Sequence, residues 1–390
     1  MTIEQQLPVE PELETIDLHV NVGPQHPATH GVFRMVLQID GELVRDVIPH
    51  IGYMHRGAEK LSENLDYRQA IGFQDRTDYL GGFNCELAYV QAIEKIANLE
   101  PPERALYIRT ILTEFNRMTS HFMFLGAFGT DLGVFGTSFT YAFREREYIQ
   151  DLFEAVSGDR FMYAYFRPGG VAWDVPHDFK DRVRWLCKQS LVGAGDLDKL
   201  LTDNEIFIAR TRNIGRVTLE EAIDYGLTGP VLRASAGYRA NPPSEIAPDL
   251  KFDLRRDEPY CIYDRFDFNI PTGRNGDSYD RYLVRLEEIR QSVRIIEQAV
   301  EQMPDGPILP ARVPRLRPGP NEVYMRCENP RGEYGLYLIS RGGTGPYRLK
   351  IRGASFCNLS ALKKMTVGHY VADAVTILGS LDIVLCEVDR

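Results

Sequence analysis

Ile16, Leu18, Val20 and Val22 alternate with polar residues, the period of a half-buried strand. A second run, 32–39, meets a third, 42–48, across Asp40-Gly41, and Asp-Gly between two such runs predicts a hairpin. The chain therefore opens on an antiparallel sheet. The loop joining its first two strands reads Gly23-Pro24-Gln25-His26-Pro27-Ala28-Thr29-His30-Gly31. Helical periodicity follows over 83–99. A longer helix opens at Pro101-Pro102-Glu103, with Ile108, Ile111, Leu112, Phe115, Met118 and Phe122 on one face. Further helices are predicted over 141–156, 179–201 and 278–303, and a Thr218–Glu221 capping box opens a short one closed by Gly226.

Prolines punctuate the rest. The segment 240–259 is Pro-rich and charged and predicts a surface loop, and 304–320 holds six prolines and predicts a linker. Strands are expected over 322–328, 333–340 and 346–352, then a helix over 369–378 and a terminal strand over 381–388. Sheet, helical bundle and small β-rich end make the class α+β. The expected units are a flexible acidic tail (1–15), an N-terminal β-sheet domain (16–60), a helical bundle (61–303) with the surface insertion, the linker, and a C-terminal α+β region (321–390).

One stretch complicates this picture. The apolar run 121–143 approaches the roughly 20 residues a membrane span needs, but Asp131 and four glycines interrupt it. It reads as an internal segment with one acid in its middle, in a soluble or peripheral protein. The first fourteen residues carry four Glu and no basic residue, which does not fit a secretory signal.

The net charge of −10 argues against nucleic-acid binding, which needs basic faces to neutralise phosphate. Of the 45 basic residues 36 are Arg, whose planar fork suits buried and interfacial ion pairs; codon bias would give the same excess. The six cysteines, at 85, 187, 261, 327, 357 and 386, form no CxxC or CxC. Zinc, iron–sulfur and disulfide frameworks are therefore not supported, and no metal is expected on this chain.

Five of the eight histidines lie between 19 and 55. His26 and His30 share the Gly/Pro-bounded loop, where a helical metal pair is disfavoured. They read either as solvated imidazoles or as proton donors to a ligand. Tyr79, in Asp75-Arg76-Thr77-Asp78-Tyr79, reads as a core phenol or a polar handle. Asp131, an acid in apolar surroundings, is either paired at a functional site or a helix cap. No GxGxxG follows a strand, and there is no P-loop, HExxH or GxSxG, so the residues alone name no reaction.

The same stretches resemble the 49-kDa family of proton-pumping NADH–quinone oxidoreductase, respiratory complex I. Its bacterial members are called the D subunit, its plastid ones the H subunit and its mitochondrial ones the 49-kDa subunit. The resemblance rests on Gly23–Val32, Tyr53-Met54-His55-Arg56-Gly57-Ala58-Glu59-Lys60, 75–79, Phe143-Arg144-Glu145-Arg146-Glu147, Arg167-Pro168-Gly169-Gly170-Val171, Gly229-Pro230-Val231-Leu232-Arg233-Ala234-Ser235 and the ending Glu387-Val388-Asp389-Arg390. These motifs are collinear over nearly the whole chain. The family shares the fold of nickel–iron hydrogenase large subunits, but the two CxxC pairs that hold that metal are missing here.

The resemblance implies a catalytic-core subunit that forms the quinone-reduction site with the B subunit of the complex, next to the tetranuclear iron–sulfur cluster of that partner. The implied electron donor is NADH or ferredoxin, with FMN and further clusters elsewhere in the complex. It implies that His30 and Tyr79 bind the quinone headgroup, with His26 as a second candidate. Asp131 is implied behind the imidazole, and Arg56 is implied to face the cluster. The B, C, H and I subunits are the implied partners. The implied place is peripheral, on the cytoplasmic side of a bacterial plasma membrane rather than a thylakoid or inner mitochondrial membrane. Where some relatives carry a His after Ser157-Gly158, this chain has Phe161-Met162-Tyr163. The competing readings are a hydrogenase-like large subunit, which the missing thiolates oppose, and a scaffold without a site, which His30, Tyr79 and Asp131 together oppose.

Overall fold

The computed structural model describes residues 18–134, 136–239, 250–312 and 316–390. Strands β1 (Leu18–Val22), β2 (Arg34–Asp40) and β3 (Leu43–His50) form an antiparallel sheet in that order. Asp40 pairs with Leu43 across the tight turn, where Gly41 takes φ 61. The inward positions Phe33, Met35, Leu37 and Val44 are fully buried. They pack against side chains more than 300 residues away in the chain, among them Leu362, Met365 and Ile377.

The helical core contains α1 (Gly82–Ala97), α2 (Glu103–Asp131), α3 (Thr137–Ser157), α4 (Phe179–Leu201) and α5 (Ser278–Gln302). The α2 helix is central. It buries the expected apolar face and also Arg109, Glu114, Arg117 and His121. Its glycines explain the apolar run 121–143. A Cβ on Gly126 would lie 3.1 Å from the Ala142 Cβ, and one on Gly129 would lie 2.5 Å from the Ser138 Oγ. Small residues let α3 cross close to the end of α2, so the run is a tight helix–helix turn.

Among the described residues seven arginines are fully buried, and some of them use the guanidinium fork on one carboxylate. Arg109 reaches Glu94 at 3.0 and 2.6 Å, and Arg233 reaches Glu288 at 3.1 and 2.6 Å. Buried ion pairs, rather than codon bias alone, therefore account for part of the Arg excess.

Beyond the Pro-rich stretch, β4 (Asn321–Asn329), β5 (Gly332–Ser340) and β6 (Arg348–Arg352) form a second antiparallel sheet. Then follow short helices, α6 (Val371–Leu381) and α7 (Leu385–Asp389). Two expectations fail. The terminal strand over 381–388 is instead the end of α6, a turn and α7. Ile383, Val384, Leu385 and Val388 are all buried, and in a run buried on every side periodicity cannot tell strand from helix. Within the expected surface loop, 240–249 lies outside the described residues, but Asp253, Leu254 and Arg255 are buried. Arg255 pairs with Glu114 at 3.1 Å and Asp253 at 2.7 Å, which draws the charged stretch inward.

Candidate functional site

The loop between β1 and β2 is shaped by two special backbones. Gly23 has φ +88, and a Cβ there would sit 1.9 Å from the Phe33 carbonyl oxygen, so only glycine fits. Pro27–Thr29 form a 3-10 turn held by the Thr29 N–H on the His26 carbonyl at 3.1 Å and by the Thr29 hydroxyl on the same oxygen at 2.7 Å. His30 then takes φ 51, an uncommon backbone for a non-glycine residue and one worth explaining. The turn separates the two loop histidines. His30 lines a cavity, whereas His26 is exposed and lines a different, open depression with Pro24, Gln25 and Val32.

The His30 Nε2 hydrogen-bonds the Asp131 carboxylate. Asp131 is the last residue of α2. A carboxylate there opposes the helix dipole and has no hydrogen to donate to the free carbonyls, so helix capping does not explain it. Its partner does. Burial by itself lowers the His30 pKa, but the hydrogen bond to Asp131 and the charges of Asp131 and Asp382 outweigh it and raise the value above that of a free histidine.

Tyr79 sits on the turn before α1. Asp78 pins that turn. It accepts the N–H groups of Leu80 at 3.2 Å and Gly81 at 3.3 Å, the Asn329 amide at 2.7 Å, and the Arg331 guanidinium at 2.9 Å. The Asp78–Arg331 pair is fully buried, which fixes the turn rigidly. The Tyr79 ring lies 6.0 Å from that of Phe161, and its hydroxyl donates to no described residue. Burial raises the Tyr79 pKa, offset in part by the nearby Arg331.

His30, Asp131 and Tyr79 meet in one cavity of about 290 Å³. Its apolar walls come from Leu80, from Met123, Phe124 and Ala127 on α2, and from Ile383 and Val384 at the chain end. The cavity has a further acid that periodicity does not single out. Asp382 ends α6 with φ 55 and lies 3.5 Å from Arg331 and 3.6 Å from Arg285. The available signal is the one that marks Asp131, a lone acid in an apolar run, but a run that reads as a strand hides it.

Arg56 lies elsewhere. It is exposed and donates to the Arg76 carbonyl at 2.7 Å. Its loop is clamped by the chain end, where the Asp389 carboxylate accepts the N–H groups of Gly52 at 2.8 Å and Met54 at 2.7 Å. Two motifs more than 300 residues apart in sequence are thus one contact. The cysteines are unpaired and dispersed, and among the described residues no three His, Cys, Asp or Glu side chains converge on a metal position. No described helix is long and apolar enough to cross a membrane.

The family model described as respiratory-chain NADH dehydrogenase, 49 Kd subunit, matches residues 131–318 and 311–390. The chain is 47% identical over 378 residues to the D subunit of NADH-quinone oxidoreductase from Carboxydothermus hydrogenoformans, covering 97% of this chain and all of the relative. It is 48% identical over 378 residues to the protein of that name from Dehalococcoides mccartyi, with the same coverage. The corresponding protein of Magnetococcus marinus is 45% identical over 396 residues, covering 95% of this chain and 96% of the relative.

Proposed function

Because this chain belongs to the 49-kDa family of respiratory NADH–quinone oxidoreductase subunits, we propose that the His30–Asp131–Tyr79 cavity is where its complex reduces quinone. One observation carries the reading. An imidazole held by a carboxylate and a phenol that donates to no described residue share one otherwise apolar cavity. A quinone headgroup is a flat apolar ring with two carbonyl oxygens. Its two-electron reduction takes up two protons, one at each oxygen. The His30 imidazole and the Tyr79 hydroxyl are donors of suitable type, and Asp131 keeps the imidazole protonated. The walls from Met123, Phe124 and Val384 suit the ring and exclude water. His26, on the outer side of the loop, is assigned to the approach to this site rather than to its interior.

Electrons come from outside the chain. We assign the tetranuclear cluster to the B subunit of the complex, against the exposed Arg56 and the clamped 52–57 loop, whose fixed positive charge favours a reduced cluster. The C, H and I subunits complete the surroundings. NADH (or ferredoxin), FMN and the remaining clusters belong to other parts of the complex. The assembly sits peripherally on the cytoplasmic side of a bacterial plasma membrane, anchored by membrane subunits, and couples quinone reduction to proton pumping.

The test is quinone reductase activity in assembled complexes. Tyr79→Phe and His30→Ala each lower it at least about tenfold, as loss of a positioned proton donor does. Electron entry to an artificial acceptor that bypasses quinone survives. Parallel loss of both activities would make the residues structural and overturn the assignment.

A further inference from the structure

Asp75 and Glu86 are both completely buried, and neither has an ion-pair partner among the described residues. Asp75 closes the helix Ile71–Gln74, four residues before Tyr79, and Glu86 lies on the first turns of α1. Between them they accept three consecutive backbone donors. The Ala164 N–H reaches Asp75 Oδ2 at 2.9 Å, and the Tyr165 and Phe166 N–H groups reach Glu86 Oε2 at 3.0 and 2.9 Å. The remaining oxygens, Asp75 Oδ1 and Glu86 Oε1, have no N–H or O–H partner among the described residues. Accepting from consecutive amides of one segment seats the two carboxyl groups against one another, each an influence on the other's charge. Two ionised carboxylates offer acceptors only, so that contact needs a proton between them.

The segment they hold is not relaxed. Met162 has φ 83 and Ala164 has φ 40, an uncommon backbone for side-chain-bearing residues. It carries Phe161 against the Tyr79 ring at 6.0 Å and stacks Tyr163 on Phe83 at 3.8 Å. From the geometry we infer that Asp75 and Glu86 share one proton and act as a positioning pair, clasping the 161–166 segment to the turn that carries Tyr79 and so setting where the phenol stands. This rests on the reading of Tyr79 as a proton donor to quinone.

The surrounding charges agree. Burial is the main influence on both acids. It raises Asp75 to about 6, and it raises Glu86 well above the carboxylate range together with the Asp75 charge. The cations facing the pair are Arg76 on the same turn and Arg167 beyond the clasped segment, and both act only at a distance. Arg109 on α2 lies near Glu86 but is taken by Glu94. The other titratable neighbours, Cys85 and Tyr163, are themselves pushed up by burial and stay neutral. One proton therefore stays in the pair through neutral pH. It is lost to solvent as pH rises through the upper value, leaving two adjacent buried anions that repel.

The clasp is read by hydrogen–deuterium exchange of the 161–168 amides in the intact complex, corrected for intrinsic exchange, from about pH 6 to about pH 9. In wild type, protection falls at least about tenfold across the alkaline part of that range. Glu86→Gln supplies a permanent N–H donor in place of the shared proton. It keeps protection flat with pH and keeps quinone reduction at neutral pH within about threefold of wild type. Glu86→Ala loses protection at every pH and lowers quinone reduction at least about tenfold, with bypass electron entry intact. Flat protection in wild type, or a Glu86→Gln profile that tracks wild type, overturns the shared proton. If protection behaves as expected but Tyr79→Phe leaves quinone reduction unchanged, the clasp stands and the role given to Tyr79 falls.

Discussion

Two histidine–carboxylate pairs in this protein have the same chemistry and opposite behaviour. His30 Nε2 hydrogen-bonds Asp131 at the cavity wall, with both side chains partly accessible. His121 Nε2 hydrogen-bonds Glu288 at 2.8 Å inside the bundle, with both fully buried. The His30 pKa is raised, because the acids Asp131 and Asp382 outweigh its burial. The His121 pKa is lowered, because burial dominates and Arg117 and Arg285 add positive charge that opposes the gain from Glu288. Glu288 is in turn held far below the carboxylate range, with Arg233 the largest opposing influence to its burial. The surroundings of the inner pair thus favour a neutral imidazole donating to a carboxylate already neutralised by arginine, and those of the outer pair favour the charged imidazole. A histidine beside an acid is not in itself a proton donor; the charges around the pair and its access to a cavity decide.

This contrast is open to attack, most strongly from the inside. Arg233→Met removes the cation shared by Glu288 and Glu328. A buried charge left without its partner costs about 3–5 kcal/mol, so the variant chain should lose most of its folded, assembling population, read by thermal melting and by recovery of the complex. A melt close to wild type would show that the inner network is not what holds the bundle.

A smaller effect, confined to the site, is expected at the outer pair. Asp131→Asn keeps the volume and removes the charge that raises His30. The imidazole pKa then falls, because burial is left opposed only by the charge of Asp382. The alkaline fall of quinone reductase activity should move to lower pH, with assembly intact, in pH–rate profiles at saturating quinone. The same pair contributes stability that is full below the unfolded histidine value of about 6.5 and is lost as pH rises through the raised folded value. An unchanged profile would break the proposed coupling.

The smallest effect belongs to His121→Gln. The amide can still donate to Glu288, so stability should change by no more than about 1 kcal/mol. The pH–rate profile should superimpose on wild type, because the imidazole it replaces lies away from the cavity and burial shifts its pKa downward. A shifted profile would make the inner pair part of the proton path.

Most of the elements are legible in the sequence because their periodicity is strong. The Asp-Gly hairpin, the face from Ile108 to Phe122 on α2, the helix Phe179–Leu201 and the Thr218 capping box are local signals that tertiary packing does not override. The chain end is not legible, because its run is buried on all sides, where strand and helix look alike, and Asp382 is hidden with it. Asp131 is visible as an oddity, an acid among apolar residues, but two accounts fit it equally until its helix is seen to end there. His26 and His30 are indistinguishable in sequence, and a single 3-10 turn sends one outward and one into the cavity.

What belongs to the sequence is whatever neighbouring residues decide between themselves: secondary structure, the absence of close thiol pairs for a metal, and a set of collinear motifs specific enough to name a family. What belongs to the tertiary structure is everything that depends on distance through space. His30 and Asp131 lie 101 residues apart, Asp389 and Met54 335, and Asp78 and Arg331 253. Electrostatic influence falls with separation in space and strengthens with burial, and neither quantity is carried by chain order. That is why a histidine beside an acid has its pKa raised at the cavity and lowered in the bundle.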